Sequence, residues 1–242
     1  MFSAWMVPSL IGLVLDILVI AYLLRGPVKR FVFVFCYCLV EAVGFVIGSL
    51  SYLHLGPRGL RYESFFWAAD LVSHALTALI LLSLIRESLG SNAHLKRLAS
   101  WALPVVVAGV ALASVLAFQD PSINVWMTPV SRNLSFCEEI LNFMLWTALI
   151  RNRDYDRLLL FISAGIGIQV TGEVIGHTIR TFMRMRTMIW LPDTLLMVSE
   201  IICLLTWVWA FYSTERGSRS KTSAAIAGQS PATPLAPPRP RE

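Results

Sequence analysis

Charged side chains are scarce in this sequence. Asp, Glu, Lys and Arg make up 14% of its 242 residues, whereas an ordinary soluble domain carries about 25%. Lysine is the scarcest of the four, present only as Lys29, Lys96 and Lys221. Cysteine is limited to Cys36, Cys38, Cys137 and Cys203, with no C-x-x-C spacing among them. That rules out reading a disulfide framework or a zinc knuckle from the spacing. Long polar stretches between apolar runs are also missing. The connections last about 5 to 15 residues, which leaves no room for a folded domain outside the membrane. Whatever the chain does, it does in or at a bilayer.

What is present in quantity is apolar sequence: 56% hydrophobic residues and a mean hydropathy of +0.66. Runs of around 20 predominantly apolar residues are long enough to cross a bilayer as helices. Seven occur, near 4–24, 31–52, 64–85, 99–118, 130–150, 158–179 and 190–213. The expected fold is therefore all-α, a polytopic membrane bundle of about seven transmembrane helices over residues 1–213. The first run has no basic region before it and "RGPVKR" after it, so it reads as a retained helix and not a cleaved signal. Glu138 and Glu139 interrupt the fifth run. Whether that run fully crosses stays open, and six helices plus a re-entrant segment is the competing count.

With the N-terminus outside, fourteen Lys and Arg fall on the inner side and six on the outer. That bias predicts an outside N-terminus and an inside C-terminus, in a multi-pass protein of the cell (inner) membrane. The net charge of +5 then belongs to the rim facing anionic lipid and calls for no nucleic acid. Residues 214–242, poor in apolar side chains and holding five of the twelve prolines, read as a disordered cytoplasmic tail. Besides lipid, the expected partners are other membrane proteins or a second copy. Close helix approach is offered by Gly44/Gly48 and Gly172/Gly176, two small-x-x-x-small pairs.

Seven of the fifteen acidic residues lie within the predicted spans: Asp16, Glu41, Asp70, Glu138, Glu139, Glu173 and Glu200. Carboxylates at such depth are costly against lipid, so they should converge on the bundle interior. No lysine accompanies them. Glu173, His177, Arg180 and Arg184, offset by 0, 4, 7 and 11, form one polar stripe on the sixth span. "DLVSHALT" and "EVIGHTIR" repeat an acid and a His four residues apart. An inverted repeat would place them at opposite depths, but both sit six residues inside the outer end of their spans. What remains is two acid/His pairs at one level. The candidate cavity is thus lined by Glu41, Asp70, His74, Glu138, Glu173, His177, Arg180 and Glu200. If a metal binds, Asp70, His74, Glu173 and His177 are its ligands. The plainer alternative is that each His satisfies the acid on its own helix. Arg184 and Arg186 read as snorkelling to headgroups, and Arg180 as the arginine belonging to the site.

Seven spans with an outside N-terminus invite comparison with rhodopsins. The seventh span has no lysine, so a retinal Schiff base is excluded. Nor does it carry the His-x-x-x-His pair that seven-helix membrane hydrolases of the ceramidase and adiponectin-receptor superfamily place there. The stretches "LLRGPVKRFVFVFCY" (23–37), "GPRGLRYESFFWAADL" (56–71) and "SRNLSFCEEILNFMLW" (131–146) resemble uncharacterised bacterial seven-helix membrane proteins over about 210 residues. That resemblance implies a fold and brings no activity.

Three functional readings follow. The one demanding least of the sequence is a small sensor, receptor-like or scaffold protein with an acid- and His-lined cavity open to the outer side. The second is a proton- or cation-coupled carrier, and the third a metal-dependent intramembrane enzyme. No catalytic residue is assigned, since Ser73 and Thr77 are ordinary helix positions without an activating neighbour.

Overall fold

The computed structural model describes residues 2–26, 28–55, 60–89, 123–151, 156–182 and 190–228. They form six helices: α1 (Phe2–Arg25), α2 (Val32–Leu55), α3 (Leu60–Ser88), α4 (Ile123–Arg151), α5 (Arg157–Phe182) and α6 (Trp190–Gly228). Among the described residues there is no strand. The helices coincide with the first, second, third, fifth, sixth and seventh predicted spans; the fourth, 99–118, lies outside the described residues.

Five helices, α1, α2, α3, α5 and α6, are long and apolar enough to cross a membrane. The outlier is α4, the run interrupted by Glu138 and Glu139. Its 29 residues reach roughly 43 Å, so composition and not length sets it apart. Helix ends follow local chemistry. Beyond α1, Gly26 N–H bonds the Leu23 carbonyl at 3.1 Å and Val28 N–H bonds the Gly26 carbonyl at 3.0 Å. Asp156 caps α5, accepting the Leu158 N–H at 2.9 Å, as an N-cap carboxylate does.

The helices form a closed ring in chain order, α1 to α6 and back to α1, and α3 and α5 also touch across it. Large apolar side chains stay exposed on the outside, Ile150 at 75% and Phe143 at 63%, as a surface facing lipid requires. Along its axis the ring has two different halves. In one, Leu23, Val34, Leu84, Leu145, Ile162 and Trp207 close the interior, each at most 2% exposed. Arg30 caps this end, reaching Glu87 at 2.5 Å and Asp156 at 2.7 Å and so tying the ends of α2, α3 and α5. Burial lowers the Arg30 pKa, but the hydrogen bonds to Asp156 and Glu87 outweigh this and raise it above its ordinary value.

The α5–α6 seam is the tightest. A Cβ on Gly165 would stand 2.7 Å from Trp207 Nε1, whose N–H donates to the Ile162 carbonyl at 3.1 Å. At Gly172 a Cβ would overlap Ser199, and at Gly176 it would stand 3.0 Å from Leu196. This corrects the expectation of a second copy docking through Gly172/Gly176, because α6 of the same chain occupies that face. Gly44 and Gly48, by contrast, are half-buried and line a cavity inside the ring. Helix α6 continues to Gly228, and residues 229–242 lie outside the described residues. Residues 213–228 contain no proline, so no residue there removes a helical N–H, and Glu215, Arg216, Lys221 and the alanines offset the weaker Gly217.

Candidate functional site

The other half of the ring encloses a cavity of about 740 Å³, walled by α1, α2, α3, α5 and α6. One carboxylate comes from each of those helices: Asp16, Glu41, Asp70, Glu173 and Glu200. His74, His177 and Arg180 complete the charged or chargeable wall. Seven of the eight residues expected from sequence therefore share one space. The exception is Glu138, which lies off the wall, 1% exposed.

Glu138 is held there by His74, whose Nδ1 lies 3.1 and 3.2 Å from the two Glu138 oxygens. On the other side of the ring, His74 Nε2 lies 3.8 Å from Asp70 Oδ2, and Glu173 Oε2 is 3.9 Å from Nδ1. One imidazole thus stands among carboxylates of three helices. The acid four residues before it on α3 is a neighbour, but its hydrogen-bonding partner is on α4. The plainer sequence alternative, a His serving only its own helix's acid, does not describe His74.

The surrounding acids are held by hydroxyls and one amide. Asp70 accepts from Ser131 at 2.5 Å, and Glu41 accepts from Ser73 at 2.5 Å. Glu173 accepts from Ser135 and Gln169, each at 3.1 Å. Gln169 Nε2 also donates to Tyr37 Oη at 2.6 Å, extending the network from α5 to α2. Its base is a stripe on α4, Ser131, Ser135, Glu138 and Asn142, all at most 4% exposed. Their offsets are 0, 4, 7 and 11, the spacing that marks the α5 stripe. Applied to the fifth span, that signal would have found them. Tyr37 and Gln169 carry no comparable signature.

Asp16 differs from the other wall acids. It is 3% exposed, and its Oδ1 has no hydrogen-bond partner. The donor facing the group is the Cys38 thiol, a weak one. Asp16 and Glu41 lie within electrostatic reach of Glu200. This makes a second acidic group, on α1, α2 and α6, joined to the His74 cluster on α3, α4 and α5 through Glu41, which accepts from Ser73.

Among the described residues, the side chains grouped closely enough for a metal differ from the four that spacing suggested. The group whose ligand atoms lie within 4.8 Å of one another is His74, Glu138 and Glu173, so Glu138 takes the place of Asp70 and His177. One imidazole and two carboxylates suit a divalent transition metal. Each of the three, however, already has a hydrogen-bonding partner within the protein. At the rim, Arg180 pairs with Asp193 across the α5–α6 connection while still lining the cavity. Arg184 and Arg186 lie outside the described residues.

No protein-family model matches this chain, and neither a curated protein nor a solved structure matches it.

Proposed function

We propose that this is a multi-pass membrane protein of the cell (inner) membrane that binds a small molecule in its acid- and His-lined cavity, as a receptor-like or sensing protein. In this reading the chain crosses seven times, counting 99–118, with its N-terminus outside and its C-terminus inside. The cavity then belongs to the outer half. The observation that carries the reading is the asymmetry of the ring. Five helices each turn a carboxylate into one cavity of about 740 Å³, a size typical of small-molecule sites. The half beneath it is closed by tightly packed apolar side chains. A ligand can enter and be held without a path onward.

The test uses the full chain in lipid nanodiscs and the variant Gly44→Phe. A Cβ at Gly44 meets nothing within 4 Å, so the new ring fills the cavity without disturbing a packed seam. Small molecules that raise the unfolding temperature of the wild type should lose that effect in the variant, which keeps its own unfolding temperature. Equal stabilisation of both proteins would place binding elsewhere and defeat the reading. Proton or cation uptake by reconstituted vesicles, abolished by Glu173→Gln, would establish the carrier instead.

A further inference from the structure

Given that the cavity is a ligand site, the distribution of hydrogen-bond donors along its wall identifies what it takes. Three wall carboxylates receive donors from the protein itself: Asp70 from Ser131, Glu41 from Ser73, and Glu173 from Ser135 and Gln169. The wall's cationic groups are also engaged, His74 by Glu138 and Arg180 by Asp193. Asp16 stands apart. It is 3% exposed, on the cavity wall, with the weak Cys38 thiol facing it and no partner for Oδ1 among the described residues. Among the described residues no hydrogen-bond donor is seen on Glu200, whose neighbours include the carboxyls of Glu41, Asp16 and Glu173. Carboxylate oxygens left this way in a low-dielectric interior are unfavourable unless N–H or O–H groups reach them.

There is space for such groups. Beside Glu200 the wall is bare backbone, a Cβ on Gly12 lying 3.9 Å from its Oε1, and elsewhere on the wall a Cβ on Gly44 would meet nothing within 4 Å. The cavity lining also includes the apolar Leu13, Val40, Phe45 and Phe65. A volume of about 740 Å³ far exceeds that of a single ion, whereas an organic molecule of moderate size fits it. We infer that the cavity takes a protonated amine carried on an apolar body, its ammonium N–H groups directed at Asp16 and Glu200 and its body against Phe45 and Phe65. An anion is disfavoured by five carboxylates. A quaternary ammonium has the charge but no N–H for Asp16 Oδ1.

The experiment measures equilibrium binding to the full chain in nanodiscs, with empty nanodiscs subtracted. It uses straight-chain primary amines of increasing length, the matching alcohols and the matching carboxylates. Amines of at least one length should bind saturably and at least about tenfold more tightly than their alcohols, the worth of a charge-assisted hydrogen bond. Asp16→Asn and Glu200→Gln should each remove most of that preference while leaving alcohol binding unchanged. Both variants exchange a buried carboxyl for an amide of the same size, so loss of fold is not expected, and unfolding temperature checks this. Alcohols binding as well as amines, or an amine preference that survives both substitutions, would overturn the inference while leaving a cavity that binds ligands. Stabilisation by magnesium chloride alone, lost in Asp16→Asn, would overturn it in favour of a metal ion. No saturable binding by any of the three series would overturn this inference and the proposed function together.

Discussion

Toward the Arg30 end, α1, α3 and α5 contribute Leu23, Leu84 and Ile162 to one apolar core, each at most 1% exposed. Toward the Arg180 end the same three helices present Asp16, His74 and Glu173 to a cavity. In water, burying the first set would drive folding and the second would oppose it. In a bilayer the lipid tails are as apolar as leucine, so burial from water does not hold the helices together. The closed half has to be held by shape, and the open half by polar pairs that cannot face lipid. The two halves should therefore fail for different reasons: one when volume changes, the other when a partner is removed.

The largest effect is expected in the open half at His74. Removing the imidazole by His74→Ala leaves Glu138, 1% exposed, without its hydrogen-bonding partner. Breaking a buried pair from one side costs about 3–5 kcal/mol. Asp16→Asn, also in the open half, should be neutral or stabilising, because it removes an acid whose Oδ1 already has no partner. Equilibrium unfolding of both variants in one detergent tests the contrast. Equal destabilisation by the two would show that the network around His74 does not hold this half together.

Next comes a matched pair of small changes. Gly165→Ala puts a methyl 2.7 Å from Trp207 Nε1 and 3.2 Å from the Cys203 carbonyl. The α5–α6 seam must shift, and overpacking of this kind costs about 1–3 kcal/mol. Gly44→Ala adds the same methyl to the open half, where nothing lies within 4 Å, and should change stability by no more than about 0.5 kcal/mol. The same measurement reads both. If Gly44→Ala proves as harmful as Gly165→Ala, the open half is packed after all.

Much of this was legible in the sequence, and what was not follows from the solvent. Runs such as 31–52 announced their helices, because a continuous apolar run of that length spans a membrane with its backbone satisfied as a helix. The acids and histidines announced the interior, since each is costly against lipid. Asp70, His74, Glu173 and His177 do reach one cavity. Rotation was harder to read. A helix in lipid is apolar on its core side and on its outer side, so periodicity hardly distinguishes Leu23, fully buried, from Leu24, 63% exposed. Contacts between helices therefore went unseen: Gln169 with Tyr37, Ser73 with Glu41, and Glu138 turned toward His74 and away from the cavity. Even the small-residue pairs could not reveal whether their partner was another chain or, as for Gly172 and Gly176, the next helix of the same one.

The smallest effect is expected at Arg30. Its two ion pairs tie three helix ends, and the position suggests a latch that keeps the closed half shut. Yet the side chains of Arg30, Glu87 and Asp156 are 36%, 35% and 39% exposed, and pairs this wet contribute roughly 0.2–1 kcal/mol before salt screens them further. Beneath them Phe31, 2% exposed, packs edge-on against Phe211 with ring centroids 5.9 Å apart, and that packing does not depend on charge. Arg30→Gln should lower stability slightly at low salt, by an amount that vanishes near about 1 M sodium chloride, where screening acts within about 3 Å. Unfolding curves at the two salt concentrations measure it. A loss larger than that of Gly165→Ala, or one that persists in high salt, would mean that the closed half is held by its latch more than by its packing. The contrast between the halves would then reduce to two arrangements of charge.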